Sequence, residues 1–173
     1  MKKNVLIYGL VLGLIVSINM ILLVNLFYSN PDFEGNEIVG YAAMIIIFSL
    51  VFFGVRNYRN KELGGVISFG KAFKAGALIA LIGATMYVTT WLIYYYNFVP
   101  DFFEKYSAHV LRQTAAEGAT AEVMAEKTKE MQSFAKMYEN PFYVILFTYS
   151  EVLPVGLILA LFSSLVLKRK VAK

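Results

Sequence analysis

The segment PFYVILFTYSEVLPVGLILALFSSLVL, residues 141–167, has Glu151 as its one charged residue. About 20 apolar residues in a helix cross a hydrocarbon core of roughly 30 Å, so the segment is long enough to span a membrane. Lipid offers no hydrogen-bond partner to a backbone amide, and a spanning segment must therefore be helical. The sequence predicts a membrane-spanning α-helix that carries a carboxyl group in its interior.

Three further runs contain no charged residue, and they are Val5–Asn30, Ile38–Val55 and Ala75–Pro100. The chain is 58% hydrophobic and 16% charged, whereas a soluble domain is about 45–50% apolar and about 25% charged. Buried helices of a soluble protein would lack enough polar surface to cover four such runs. The predicted fold is an all-α, four-helix antiparallel bundle in one integral membrane domain, residues 1–173, with spans at about 5–28, 38–55, 71–97 and 142–167. The first run follows MKKN but is too long for a signal peptide and lacks a small-residue cleavage site, so we expect it to be retained.

Basic residues lie on one side of the predicted membrane. That side has eleven of them against Glu62 alone, a net charge of +10. The other side has three acidic residues in the first loop, and seven acidic against five basic residues within 101–139, a net charge of −5. The positive-inside rule places both termini in the cytoplasm. We expect contacts with anionic lipid, and no nucleic acid, at Arg56, Arg59, Lys71, Lys74, Lys168, Arg169 and Lys170.

Small residues recur at a spacing of four in three of the spans. Residues four apart share a helix face, and small side chains let the backbones of membrane helices approach closely. These stripes predict helix packing at Gly9, Gly13, Gly76, Ala80, Gly156 and Ala160.

The polar segment 100–140 reads as two helices, 101–116 and 121–138, broken near Gly118. It predicts an extracytoplasmic helical hairpin between the third and fourth spans. One interpretation is a cap on the bundle or on the membrane surface, and the other is a docking surface within 120–139 for an extracytoplasmic partner. His109 is the one histidine, and no spacing of ligand residues around it matches a metal site, so we expect no metal.

Glu151 suggests a polar site inside the membrane, because charged groups are costly in lipid and usually face protein or water. At 1.5 Å per residue, Asn19 and the pair Thr85 and Thr89 fall near the level of Glu151, which predicts one buried polar layer. Pro154 cannot donate to the helix ladder, and we expect a kink there. Three roles stay open for Glu151: a structural hydrogen bond between helices, a proton- or cation-linked pathway, or a water-filled outer vestibule.

The direction of Glu151 narrows its possible neighbours. At 100° per residue it lies about 140° from Gly156 and opposite Ala160 on the helix. Glu151 is therefore off the small-residue stripe. It is expected to face a second neighbouring helix, a cavity or another protomer.

Four stretches carry a resemblance to a known family: GGVISFGKAFKAG at 64–76, YYYNFVPDFFEKY at 94–106, ENP at 139–141 and EVLPVGLILALFSSLVLKRK at 151–170. In that order, and with four spans, the whole chain resembles the bacterial membrane family called domain of unknown function 4199, typical of the Bacteroidetes. The resemblance implies an inner-membrane protein of a Gram-negative bacterium and brings no catalytic residue. It also implies that Glu151, Pro154 and Gly156 belong to the family's pattern.

Function is predicted to be non-enzymatic. The sequence has no HExxH, no nucleotide-binding loop and no Ser/His/Asp set, so no cofactor is expected. An accessory or scaffold protein of the cell envelope fits the packing faces and the external polar segment. The alternative is a small proton- or cation-coupled transporter that uses Glu151, and a homo-oligomer is compatible with both.

Overall fold

The computed structural model describes residues 1–30 and 37–169. Within them the chain is helical, with no strand and one isolated antiparallel bridge between Ile67 and Arg169. The acidic first-loop residues Asp32 and Glu34 and the predicted lipid contact Lys170 lie outside these ranges. The helices are α1 Lys2–Ser29, α2 Glu37–Phe48, α3 Leu50–Glu62, α4 Phe69–Phe98, α5 Phe102–Ala116, α6 Ala121–Tyr138 and α7 Pro141–Leu167.

Four helical stretches in the described ranges are long and apolar enough to cross a membrane. They are Lys2–Ser29, Val39–Glu62, Phe69–Phe98 and Pro141–Leu167, with 24 to 30 residues each. The predictions of an all-helical chain and of four apolar spans are therefore confirmed. The stretch Val39–Glu62 combines α2 and α3.

The second span differs from its prediction in two ways. Ser49 separates α2 from α3, and its hydroxyl donates a 2.6 Å hydrogen bond to the carbonyl of Ile46. Helix α3 then continues past Val55 to Glu62, so Arg56 and the basic residues after it lie in helix and not in a loop. The predicted span ended at Val55 because Arg56 is the first charged residue. Arginine and lysine are nevertheless good helix formers, so the helix continues beyond the apolar run.

Glycine turns precede α4 and separate α5 from α6, the second as predicted. Gly64 and Gly65 adopt φ values of 63° and 90°, and the Ser68 hydroxyl then accepts a 3.4 Å bond from the amide of Lys71 at the start of α4. Gly118, with φ of 81°, separates α5 from α6. Positive φ is unfavourable for residues with a Cβ atom, which explains glycine at these positions.

The described chain divides into two compact units. Unit 1 comprises Met1–Thr90 and Tyr149–Lys173, and unit 2 comprises Trp91–Thr148, so α4 and α7 contribute to both. In unit 1, Asn4 Nδ2 donates a 2.8 Å bond to Asn57 Oδ1. One turn further along α1, a Cβ atom on Gly54 would lie 3.0 Å from Cγ of Tyr8. Residue numbers rise along α1 as they fall along α3, so the two helices run in opposite directions.

Aromatic rings hold unit 2 together. The rings of Trp91 and Phe102 lie 5.0 Å apart in an edge-to-face pair. The rings of Phe103 and Tyr138 lie 4.9 Å apart and join the start of α5 to the end of α6. Helix α5 has no buried residue, and Met131 is the buried residue of α6. Ring contacts therefore join these two helices, whose other residues are half-buried or exposed.

Candidate functional site

Glu151 lies on the exposed face of α7. At 100° per residue, Ile158 and Phe162 lie within about 20° of its direction. Their side chains are 63% and 58% exposed. Glu151 has no hydrogen-bond or ion-pair partner within residues 1–30 and 37–169. Within the chain Glu151 is therefore not part of the predicted buried polar layer, because the packed side of α7 is formed by Val152, Gly156 and Ala160 instead.

The other members of the predicted polar layer are also placed differently. Thr85 and Thr89 are exposed, and Thr89 donates a 2.8 Å bond to the Thr85 carbonyl, as expected for hydroxyls that bond to their own helix. The Tyr149 hydroxyl donates a 2.8 Å bond to the Thr85 hydroxyl. Asn19 is half-buried, and the described part of the chain gives it no partner. The structure thus joins Thr85 and Thr89 to Tyr149, and it brings neither Asn19 nor Glu151 into that hydrogen-bonded set.

Tyr149 was not predicted, although it lies two residues before Glu151. Two residues correspond to about 200° around a helix, so the two side chains leave α7 on opposite sides. Depth arithmetic gave the correct level for a polar contact to Thr85 but not the residue of α7 that makes it. Pro154 lies in the interior of α7, which continues to Leu167, and the kink stays a prediction.

The small-residue stripe of α1 lies against α4. A Cβ atom on Gly9 would lie 2.7 Å from Cβ of Ile82, and one on Gly13 would lie 2.7 Å from Cβ of Met86. Such distances are shorter than real Cβ contacts, so a larger residue cannot be added without a shift of the helices. Residue numbers rise together along α1 and α4, and these two helices run in the same direction.

The stripes of α4 and α7 meet each other. A Cβ atom on Gly76 would lie 2.9 Å from Cβ of Ala160, and one on Gly156 would lie 2.7 Å from Cβ of Ala80. Residue numbers rise along α4 as they fall along α7, which makes this pair antiparallel. The ring of Phe48 also lies 2.7 Å from the position of a Gly156 Cβ atom, so three helices converge there.

The basic end of unit 1 joins three segments. The amino group of Met1 pairs with the Glu62 carboxylate. Arg59 Nη1 donates a 3.3 Å bond to the carbonyl of Leu167 at the end of α7, and the Arg169 amide donates a 2.9 Å bond to the Ile67 carbonyl. Arg59 is half-buried, and its hydrogen bond connects α3 to the C-terminal end of α7. The other described basic residues predicted to contact lipid are exposed, namely Arg56, Lys71, Lys74, Lys168 and Arg169.

A cleft of about 250 Å³ opens at this end between α1 and α3. Its lining residues are Tyr8, Phe53, Arg56, Asn57, Asn60 and Lys61. Sequence reasoning missed the cleft, because the span was expected to end at Val55. Once α3 is known to be helical to Glu62, the spacing i, i+3, i+4, i+7 and i+8 from Phe53 puts the five α3 residues on one face.

Two apolar side chains of α6, within the segment 120–139 that was predicted to dock a partner, are packed in unit 2. Met131 is 7% exposed, and the Phe134 ring lies 5.7 Å from that of Phe147. On the polar side of α6, Lys127 Nζ donates a 2.7 Å bond to Glu130 Oε2, and this bond raises the pKa of Lys127 above its usual range. His109 lies half-buried in α5, and the described ranges contain no group of three His, Cys, Asp or Glu side chains that could hold a metal.

Four long apolar helices and a basic end define a membrane protein with four candidate spans. The chain belongs to the family described as Protein of unknown function (DUF4199), whose family model matches residues 7–169. Neither the curated proteins nor the solved structures include a match to the chain.

Proposed function

We propose that the chain is a non-enzymatic accessory or scaffold protein of a bacterial inner membrane, and that two copies associate through α7. The surface concerned is the Glu151 face, defined as Glu151, Ile158 and Phe162. One observation supports the proposal above the others. An ionisable carboxyl projects from an exposed apolar stripe of a candidate span, and the described chain supplies no partner for it.

In a membrane, exposure of the Glu151 face to lipid is unfavourable, and a neighbouring helix that covers it lowers the free energy. Placing an acidic residue at the centre of a membrane helix costs about 2.5–3.5 kcal/mol on the insertion scale. A neighbouring helix removes part of that penalty by excluding lipid and by supplying hydrogen bonds. The exposed side chains of Ile158 and Phe162 extend the same face by about three turns and provide packing area.

A second copy of the chain is the occupant that the chemistry favours. A protonated carboxyl has one O–H donor and acceptor capacity on the other oxygen, so it is complementary to itself. In a two-fold dimer, a residue near the axis meets its own copy. Two Glu151 side chains would satisfy each other without any further polar residue on either helix.

The proposed arrangement in the membrane is an antiparallel four-span bundle with both termini in the cytoplasm. The contacts of α1 with α3 and of α4 with α7 support alternating directions, and the net charges of +10 and −5 support the orientation. Helices α5 and α6 then form an extracytoplasmic hairpin. A partner protein bound within 120–139 would contact the exposed polar side of α6, since Met131 and Phe134 pack inside unit 2.

The experiment compares two substitutions in α7, with the full chain reconstituted at a series of protein-to-lipid ratios. Single-molecule photobleaching counts the copies. We expect Glu151→Ala to raise the dimer dissociation constant by about tenfold or more, equivalent to about 1.4 kcal/mol. Leu157→Ala is the matched control, because Leu157 is 36% exposed but lies about 120° from Glu151 around the helix. A wild-type chain that stays monomeric at every ratio would contradict the proposal.

A proton- or cation-coupled carrier is the second candidate. The observation in its favour is the hydrogen bond from the Tyr149 hydroxyl to the Thr85 hydroxyl, since polar and ionisable groups inside a span mark proton and ion pathways. Proteoliposomes containing a pH-sensitive dye test it. Proton flux that is lost in Glu151→Gln, with the dimer retained, would favour the carrier, whereas absence of flux in wild type would favour the accessory role.

A further inference from the structure

The cleft between α1 and α3 at the basic end is lined by residues of these two helices. Tyr8 comes from α1, and the five other lining residues come from one face of α3. Gly54 allows the two helices to approach, since a Cβ atom there would lie 3.0 Å from Cγ of Tyr8. The cleft is therefore a consequence of the α1–α3 packing and not of a loop.

Its polar groups are mainly donors. In the orientation that the structure records, Asn57 Oδ1 accepts from Asn4 Nδ2 at 2.8 Å. Asn60 Oδ1 accepts from Arg59 Nε, also at 2.8 Å. Both carboxamide oxygens are thus occupied, and both Nδ2 groups keep their hydrogens for a ligand. A guanidinium and an ammonium group carry donors and no acceptor.

The cleft is also positively charged. Arg56 and Lys61 are exposed, and neither has an ion-pair partner in residues 1–30 and 37–169. The nearby carboxylate of Glu62 is paired with the amino group of Met1. Two cations with neighbouring neutral donors suit a phosphate group, to which a guanidinium binds with two parallel hydrogen bonds.

The position of the cleft along α3 indicates the source of the phosphate. Arg56 is the first charged residue after the apolar run, and Phe53, one turn earlier, is 48% exposed. Charged groups at the end of a span lie at the level of lipid head groups, and basic pockets between membrane helices on the cytoplasmic side bind anionic head groups. We propose that the cleft binds the phosphate of an anionic phospholipid, with Phe53 contacting the apolar part of the lipid.

This site does not depend on the Glu151 dimer, and a different measurement tests it. The full chain in neutral detergent is titrated with short-chain phosphatidylglycerol, and native mass spectrometry counts bound lipid. We expect the double variant Arg56→Gln/Lys61→Gln to bind about tenfold more weakly than wild type. The matched control, Lys71→Gln/Lys74→Gln, removes two exposed cations outside the cleft and should lose less than about twofold.

Three outcomes decide the proposal. Equal loss in the two double variants would mean diffuse attraction to the whole basic end and would overturn it. Inorganic phosphate that displaces the lipid at equal concentration would mean a small-anion site and would overturn the assignment to lipid. Loss confined to the cleft variant, with phosphatidylcholine binding unchanged, supports it.

A third variant keeps both cations and tests whether weaker binding could result from misfolding of the double variant. Asn60→Asp replaces a donor amide by a carboxylate of the same shape, so it should weaken phosphatidylglycerol binding by about fivefold or more through repulsion. Circular dichroism should show wild-type helix content. Undiminished binding by Asn60→Asp would exclude the lipid phosphate from this cleft.

Discussion

Unit 1 and unit 2 are both helical, but different side chains hold them together. In unit 1, glycine and alanine lie at the helix contacts, and a Cβ atom added at Gly9, Gly76 or Gly156 would come within 2.9 Å of a neighbour. In unit 2, rings make the contacts, and α5 has no buried residue at all. The two units therefore differ in how much added or lost volume they tolerate.

The difference follows from the surroundings of each helix. Between membrane helices the hydrophobic effect contributes little, so close backbone approach and van der Waals packing must supply the association. Helices α5 and α6 are amphipathic and polar, and a few large rings can hold them because each ring buries much area. Added volume should harm unit 1 most, and loss of a ring should harm unit 2 most.

The largest effect is expected at the convergence of three helices in unit 1. Gly156→Ala puts a methyl group 2.7 Å from both Cβ of Ala80 and the ring of Phe48. Overpacking of this kind destabilises by about 1–3 kcal/mol, because rigid neighbours must move. Unfolding of the detergent-solubilised chain in sodium dodecyl sulfate, followed by circular dichroism, measures it.

Gly40→Ala is the control for that variant, since a Cβ atom at Gly40 meets nothing within 4 Å. Alanine is the better helix former by about 1 kcal/mol, so this change should be neutral or stabilising. If Gly156→Ala and Gly40→Ala have equal effects, helix propensity and not close packing controls unit 1, and the contrast between the units fails.

Much of the helical layout could be predicted from the sequence because lipid imposes strong rules. Charge-free runs identified four apolar spans, and Gly118 identified the break between α5 and α6. The end of α3 could not be found this way, because hydropathy does not distinguish a charged helix from a charged loop. Helix propensity across Arg56 to Glu62 was the signal available for that segment.

The candidate site was harder to predict, since it depends on rotation as well as depth. Depth arithmetic placed Glu151 level with Thr85, and the structure shows that Tyr149 makes the contact instead. The angle of Glu151 relative to Gly156 did indicate a direction away from the small-residue stripe. Which helix, if any, lies in that direction depends on tertiary packing, and a single sequence contains no direct record of it.

A smaller effect is expected from removing one ring of unit 2. The Tyr138 ring lies 5.7 Å from Tyr95, 4.9 Å from Phe103 and 6.2 Å from Phe147. Tyr138→Leu removes these pairs and should destabilise the α5–α6 contact by about 1 kcal/mol. Hydrogen exchange should show faster exchange in α5 and α6.

Tyr138→Phe tests whether the rings are responsible, because it keeps every ring pair and removes only the hydroxyl. It should exchange at nearly the wild-type rate. Unit 1 amides should be unchanged in both variants. Faster exchange throughout the chain in Tyr138→Leu would mean that the two units unfold together and would remove the distinction between them.

The smallest effect concerns the exposed ion pair of α6. The hydrogen bond to Glu130 raises the pKa of Lys127, while partial burial acts in the opposite direction. Because the pKa of Lys127 is higher in the folded chain than its ordinary value, the ion pair stabilises the folded chain at pH values below the ordinary lysine pKa. That stabilisation is lost as the pH rises through the folded pKa. The contribution is below about 0.5 kcal/mol, because water screens a pair that is about one-third or more exposed.

Side-chain NMR titration of ¹³C-labelled lysine measures this effect. Glu130→Gln should lower the pKa of Lys127 towards its ordinary value, since the charged acceptor is lost. Glu122→Gln removes a carboxylate of the same helix that is not bonded to Lys127, and it should leave that pKa unchanged. An equal decrease in both variants would assign the shift to the overall charge of α6, and the separate contact would then contribute nothing to unit 2.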